Sequence, residues 1–518
     1  MKYILAYDLG TGGNKASLFD EDGKLISAVF KAYDMVYPQP GYYEQRPEDW
    51  WNATVTATRE LLEISPIHPS EIVSLAISGH SLGVVPLRKP SLEKNSVSDV
   101  TAGRLVREST PIWSDKRPTK EAARFFEKID PVLWYMTTGN GFPAPHYSVF
   151  KILWYKNYEP EIFSQIDKVI GTKDYINFRL TGKIATDYSY ASGSGVYDLK
   201  KWAYSEEFID AAGLPHEIFP EIVPSTEILG TLTPAAAETL GLPQSVMVMA
   251  GGVDNSCMAL GAKNTQAGRL YASLGSSSWI AVSDKIPLLD PHSKPYVFTH
   301  VIPGMFTSAI GVFSTGTTFR WLRDEFCPHE QILAEKENFN IYDWMVQQAM
   351  KSPLGANGLM LNPSFAGGSS LDPSPRIRGA LVGLDLSHTL QDVLRAGMEG
   401  IAMNMCLALN ALKKLSTLAD SMVLVGGGSL NHDWCQIYAD IMQISLEKTN
   451  IGQSAASLGA ATLAAVGAGI WNDFSQVDRI HQQEAVFLPD KNNGEKYHVL
   501  LNKFQKLSHL LADFAETE

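Results

Sequence analysis

The sequence predicts an α/β layered fold, and three observations carry the prediction. Apolar, β-prone runs end again and again in short loops of small residues, helical stretches with start signals follow them, and the opening pattern returns in the second half. Residues 2–7 form the first such run, Asp8-Leu9-Gly10-Thr11-Gly12-Gly13 a tight loop, and residues 15–19 resume the strand pattern. Asp20-Glu21-Asp22-Gly23 reads as a turn before a third strand at 25–32. Pro47 starts a helix over 48–63, and residues 72–77 are a buried strand running into Ser78-Gly79-His80-Ser81. Loops at 38–47 and 86–105, with their Pro, Gly and charge, read as surface excursions.

A second α/β block is expected to open with a strand at 246–250, the loop Gly251-Gly252-Val253-Asp254 and a small-residue helix at 255–262. Strand 269–274, loop Gly275-Ser276-Ser277-Ser278 and strand 279–282 repeat the opening theme, which suggests a duplicated architecture facing a cleft. A long helix at 391–412, a strand at 422–425 ending at Gly426-Gly427-Gly428 and a helix at 434–442 follow. Residues 449–472 carry no charge over about the length of a bilayer span, but they are mostly Ala, Gly and Ser, so the expectation is a closely packed interior helix around 455–465. The expected units are thus 1–245, 246–485 and a helical C-terminal appendage at 486–518.

At 518 residues the chain is long enough for two to four domains. Its net charge of -13 argues against general nucleic-acid binding and against an anionic membrane surface, although backbone N–H groups and a metal ion can still hold an anion locally. The four cysteines, Cys257, Cys327, Cys406 and Cys435, show no CxxC spacing, so neither a zinc cluster nor a disulfide framework is indicated, and a reducing cytoplasm fits. The first apolar run is interrupted by Asp8, too early for a signal-peptide core.

The three small-residue loops, at 10–13, 275–278 and 426–428, each follow an apolar strand, where consecutive N–H groups can hold phosphate oxygens or simply turn the chain. None matches the GxxxxGK[ST] phosphate loop. Asp8 and Asp254 stand at strand ends; a carboxylate there can hold Mg2+, take a proton from a hydroxyl, or cap a helix. His80 reads either as a ligand contact or as a satisfied structural histidine, Lys15 as a phosphate contact or an exposed strand residue. Trp113-Ser114-Asp115-Lys116-Arg117 combines features that grip hydroxyls, and an internal ion pair fits it equally well.

In order along the chain, these segments resemble the FGGY carbohydrate kinases, most closely the xylulokinase-like branch. The resemblance rests on Tyr7-Asp8-Leu9-Gly10-Thr11-Gly12-Gly13, Glu44-Gln45-Arg46-Pro47-Glu48-Asp49-Trp50-Trp51, Ile112-Trp113-Ser114-Asp115-Lys116-Arg117, Lys173-Asp174-Tyr175 and Thr186-Asp187-Tyr188-Ser189. Gly251-Gly252-Val253-Asp254-Asn255, Leu274-Gly275-Ser276-Ser277, Gly426-Gly427-Gly428 and Ser457-Leu458-Gly459-Ala460-Ala461 extend it into the second half. It implies two ribonuclease-H-like, actin-like ATPase domains flanking a catalytic cleft, with ATP and Mg2+ as cofactors, a small-molecule sugar as partner, and a homodimer. It implies Asp254 as general base, Asp8 beside the metal, and nucleotide contacts from Gly10, Thr11, Gly12, Gly13, Asn14, Lys15, Gly275, Ser276, Ser277 and Gly316. Gly426, Gly427, Gly428 and Asn431 resemble the adenosine site, and the sugar contacts fall on His80, Ser81, Asp115, Arg117, Asp254 and Asn255.

One stretch departs from the xylulokinase pattern. Where that branch has Gly-Gln-Met-His-Gly, this chain has Gly79-His80-Ser81-Leu82-Gly83, so the histidine moves two places and Leu82, which cannot hydrogen-bond a hydroxyl, takes its position. The expected activity is ATP-dependent phosphorylation of a small ketose, D-xylulose first. The alternatives are another pentulose, a polyol or a sugar acid such as gluconate. A non-catalytic sugar- or nucleotide-binding regulator and a chaperone-like ATPase acting on polypeptides are rivals on the same scaffold.

Overall fold

The computed structural model describes residues 1–90, 101 and 103–517. Two seven-stranded sheets organise the chain. In the first, Leu25–Ala32, Gly13–Asp20 and Tyr3–Leu9 form an antiparallel meander, and Ile72–Gly79 then Met247–Met249 continue it in parallel, with Ile228–Thr231 at the edge. The second repeats the plan. Phe306–Val312, Ser278–Asp284 and Leu270–Leu274 are antiparallel, and Ser421–Val425 and Ser445–Thr449 follow in parallel. The duplication suggested by the two strand–loop–strand openings is therefore present in the strand order.

The pleat explains how each sheet serves two cores, because successive side chains leave opposite faces. Leu5, Tyr7 and Leu9 pack with Trp50, Ala57 and Leu61 of helix Pro47–Ile64, whereas Ile4 and Ala6 pack with Leu260, Leu458 and Leu463. In the second sheet Leu270, Ala272 and Leu274 face helices Leu390–Lys413 and His432–Met442, while Tyr271 faces Ala259 and Ala455. Helices Asp254–Gly261 and Ala455–Gly467 thus form a middle layer that both sheets share. The uncharged stretch is this interior helix, and no helix among the described residues is long and apolar enough to cross a membrane.

Close helix approach requires glycine here. A Cβ on Gly261 would lie 1.8 Å from the Ala455 carbonyl oxygen, and one on Gly459 would lie 1.9 Å from that of Cys257. Each helix donates a glycine to the other's backbone.

Three expectations need correction. The strand expected to open the second block pairs with Ile72–Gly79 in the first sheet, as does Gly252–Val253, so the chain passes to the second sheet only after Gly261. The C-terminal residues are no appendage. Gln483–Phe487 is the last strand of the second sheet, and helix Lys491–Ala515 buries Tyr497, Leu501 and Phe504 in its core. The surface loop expected at 86–105 begins inside the buried strand Val85–Arg88, and its residues 91–100 and 102 lie outside the described residues.

Gly459→Ala tests the middle layer. Overpacking typically costs about 1–3 kcal/mol, so the urea midpoint of the variant is expected to fall with an unchanged slope.

Candidate active site

Parallel pairing brings two carboxylates together. Asp8 is opposite Ser78, and Ser78 is opposite Gly252, so three neighbouring strands end in one row, with Asp254 just beyond as the first residue of its helix. Gly251 makes the approach possible. Its φ is +71°, and a Cβ there would meet the Ile77 carbonyl oxygen at 2.2 Å. Asp254 is half-buried and accepts a hydrogen bond from the Asn255 N–H at 2.8 Å. Burial pushes its carboxyl up to about 7, against the pull of that hydrogen bond, and the neighbouring Asp8 charge adds to the rise. Burial also raises Asp8, opposed by a hydrogen bond from Ser78 Oγ at 3.1 Å and by the Lys15 charge. No ion pair among the described residues includes either aspartate at 4.0 Å. From the second sheet, Tyr271 closes the group. Burial raises its hydroxyl, the Asp254 charge adds to this, and the hydroxyl donates to the Asn255 carbonyl at 3.4 Å.

The small-residue loops occupy both sides of this row. The Gly10 N–H donates to the Gly13 carbonyl at 3.0 Å, closing a tight turn, and Gly12 is exposed. Lys15 reaches across to the second half, donating to the Gln453 carbonyl at 3.4 Å and to Ser454 Oγ at 3.3 Å. Gly316 packs onto the second loop, its N–H bonded to the Gly275 carbonyl at 3.1 Å. Gly275, Ser276, Gly316, Gly427, Gly428 and Asn431 together line a cavity of about 340 Å³. Gly426 sits behind it, with φ of +92° and no room for a Cβ against Leu274. Ser277 is exposed in the same loop.

The aromatic walls of this cavity escaped sequence reasoning. Phe319 lies against Trp434 with ring centroids 4.5 Å apart, and Trp434 stacks on Tyr438 at 5.9 Å. A local signal existed: Asn431 caps helix His432–Met442 through the Trp434 N–H at 3.2 Å, and Trp434 and Tyr438 then share a helix face. The cavity thus combines an aromatic wall with the glycines of two loops.

On the other side the expectations divide. His80 and Ser81 follow strand Ile72–Gly79, and the His80 N–H donates to the Leu9 carbonyl at 2.9 Å. The His80 ring sits edge-on to Trp50 at 5.5 Å. Burial lowers its pKa to about 3, so it is neutral, and both ring nitrogens are buried without a well-formed hydrogen bond. Asp115 and Arg117 turn inward instead. Their side chains are 0% and 1% exposed and form a bidentate pair, and Arg117 also reaches Glu44 at 2.7 Å and stacks on Tyr42 at 3.9 Å. The internal ion pair describes them, and their polar groups are committed to each other rather than to a ligand. Asn14 is corrected for a similar reason: it is 0% exposed and donates to Thr54 Oγ1 at 2.7 Å, away from the loop.

Trp113, from the same segment as Asp115 and Arg117, faces the first loop instead. Trp113 is exposed and donates to Thr11 Oγ1 at 2.9 Å, and its ring lies nearly parallel to that of His146, centroids 6.5 Å apart. Buried Lys151 donates to the carbonyls of Leu82 at 2.8 Å and His146 at 2.6 Å, tying the 79–83 turn to this pair.

Arg117→Met leaves the buried Asp115 carboxylate without its cation, while Glu44 keeps Arg107. Such a break typically costs about 3–5 kcal/mol, and the expectation is a large loss of thermal stability with an unchanged sugar KM in the folded fraction.

The N-terminal domain model of the FGGY family of carbohydrate kinases matches residues 3–261, and the C-terminal domain model matches 270–468. The chain is 30% identical over 511 residues to the xylulose kinase of Bacillus subtilis, covering 98% of this chain and 97% of that protein. It is 26% identical over 510 residues to the gluconokinase of Bacillus licheniformis, covering 98% and 96%. The crystal structure of xylulose kinase from Rhodospirillum rubrum superposes with a TM-score of 0.87 at 26% identity, covering 99% of this chain and 100% of that one. The two repeated sheets are therefore the paired actin-like ATPase domains of this fold, the chain is a sugar kinase, and it belongs to the FGGY family of carbohydrate kinases.

Proposed function

We propose that this kinase transfers the γ-phosphoryl group of ATP to a hydroxyl of a small ketose, D-xylulose first, yielding D-xylulose 5-phosphate. The observation that carries the mechanism is Asp254: a half-buried carboxylate with no cation partner among the described residues, raised to about 7 and standing between Asp8 and Tyr271. Asp254 accepts the proton of the sugar hydroxyl as that oxygen attacks the γ-phosphorus, and the bond from phosphorus to the bridging oxygen of ADP breaks. A base of this kind contributes about 10²–10⁴-fold. The N–H groups of the 10–13 and 275–277 loops, with Lys15, stabilise charge on the phosphoryl oxygens. Closure of the two halves excludes water, which would otherwise compete as acceptor.

One carboxylate plus substrate phosphates is an ordinary way to hold Mg2+, and Asp8, raised by burial and without an ion-pair partner among the described residues, fits that role. Bound there with the nucleotide, the ion would neutralise phosphate charge. On the sugar side the reading uses Trp113, Asn255, Ser81 and the bare ring nitrogens of His80, which a hydroxyl would satisfy. Similarity to xylulose kinases supports D-xylulose, while Leu82 in place of a hydrogen-bonding side chain and the gluconokinase likeness favour testing other pentuloses, polyols and gluconate alongside it. The four cysteines are free and buried, in keeping with a cytoplasmic site of action.

A coupled assay of ADP release over this panel tests the reading, and release that no sugar stimulates would sink it. Asp254→Asn is expected to lower kcat by at least ~10²-fold with a much smaller change in sugar KM. With the base raised to about 7, the parent kcat/KM should fall roughly tenfold per pH unit below that value. The stability effect has the opposite sense. A carboxyl raised on folding destabilises the native state as pH rises from its unfolded value near 4 through 7, so Asp254→Asn should melt higher than the parent at pH 8, with the gap closing by pH 4.

A further inference from the structure

We propose that Lys173, Asp187 and Ser189 form a buried clamp that positions the Asp254 carboxylate; this rests on Asp254 being the base. The two motifs that contain them, Lys173-Asp174-Tyr175 and Thr186-Asp187-Tyr188-Ser189, take no direct part in the site described above. All three residues are 0% exposed. Lys173 Nζ donates to the Ala250 carbonyl at 3.1 Å, where Asn177 Nδ2 donates as well at 2.8 Å. Lys173 also pairs with Asp187 Oδ1 at 3.0 Å and with Asp174 Oδ1 at 2.5 Å. The other oxygen of Asp187 accepts from the Ser189 N–H at 2.9 Å, Ser189 Oγ at 2.5 Å and Ser225 Oγ at 2.8 Å. Ser189 Oγ, its proton so directed, accepts the Val253 N–H at 2.9 Å.

The bonds close a circuit from the Ala250 carbonyl through lysine, aspartate and serine to the Val253 amide, the four residues that lead directly into Asp254. Among the described residues Gly252–Val253 has a strand neighbour only at Ile72–Gly79, so the clamp takes the place of a ladder on its free side. Burying a lysine with two aspartates is costly, and a well-packed apolar trio often gives equal or greater stability. The return for that cost is direction: a charged network in which Lys173, Asp187 and Ser189 satisfy one another admits one arrangement of the segment, and displacement of a catalytic group by about 1 Å can cost ~10²-fold in rate.

Ser189→Ala deletes one oxygen and is the primary test, with Lys173→Met as the stronger variant and Asp254→Asn run in parallel. Turnover is measured with ATP and D-xylulose, or the panel sugar turned over fastest. Ser189→Ala is expected to lower kcat by ~10–100-fold, keep both KM values within about twofold and displace the acidic limb of the kcat–pH profile. Ser189→Thr, which keeps the oxygen, should recover most of the rate. Parent-like kcat and pH profile in Ser189→Ala, with only a lower melting temperature, would overturn the clamp while leaving the base intact. Parent-like turnover in Asp254→Asn would overturn the base, and the clamp with it.

Discussion

Gly261 and Gly459 let two helices cross with each glycine facing the other helix's backbone, and the remaining architecture depends on that crossing. Asp254–Gly261 starts at the proposed base and ends at the contact, while Ala455–Gly467 comes from the far end of the chain and fills the inner face of the first sheet. Larger residues would hold the helices further apart, and with them the two sheets. The row of strand ends bearing Asp8 and Ser78 would then no longer face Tyr271 and the second glycine loop. The separation of the 275–278 loop from the proposed base is set by the thickness of this middle layer.

Around that layer, polar groups sort by whether they are already paired. Asp115, Arg117 and Glu44 satisfy one another in the interior, and Lys173 and Asp187 do the same beneath the strand leading to Asp254. Among the described residues Asp8 and Asp254 accept hydrogen bonds but have no cation within ion-pair distance, and the buried His80 ring nitrogens have no hydrogen-bond partner. Buried polar atoms left unsatisfied carry a free-energy penalty, which a ligand that supplies the missing hydrogen bonds removes, so binding gains part of its affinity from a deficit set up by the fold. The raised carboxyl of Asp254 has the same origin: the environment that disfavours its charge makes it a better proton acceptor.

Much of the secondary structure was legible because it is local. Strand Leu25–Ala32 follows from the turn before it, helix Pro47–Ile64 from its opening proline, and the uncharged helix from its small side chains. Pairing between distant strands was not legible. Met247–Met249 looks like the start of a new block until its parallel partner, Ile72–Gly79, is known. The same limit explains Asp115 and Arg117, since a carboxylate and a guanidinium two residues apart read alike whether they face a sugar or face Glu44. Asn14 is different, because the pleat already argues against it. Adjacent strand residues leave opposite faces, so Asn14 and Lys15 could not both serve one ligand; Lys15 reaches Ser454 and Asn14 enters the core. The glycine loops were legible as small-residue strand ends, whereas the cavity walls of Phe319, Tyr342 and Trp434 needed three separate segments to meet.

The shared middle layer also bears on how this chain could be divided. Although its two sheets repeat one plan, the first is left with an uncovered apolar face if everything after Gly261 is removed, because Leu458, Ala461 and Leu463 supply that cover. Halves produced as separate polypeptides would each expose half of a glycine-lined helix crossing, and would reach native structure by complementation rather than one at a time. The duplication is one of topology; the folding unit is the whole.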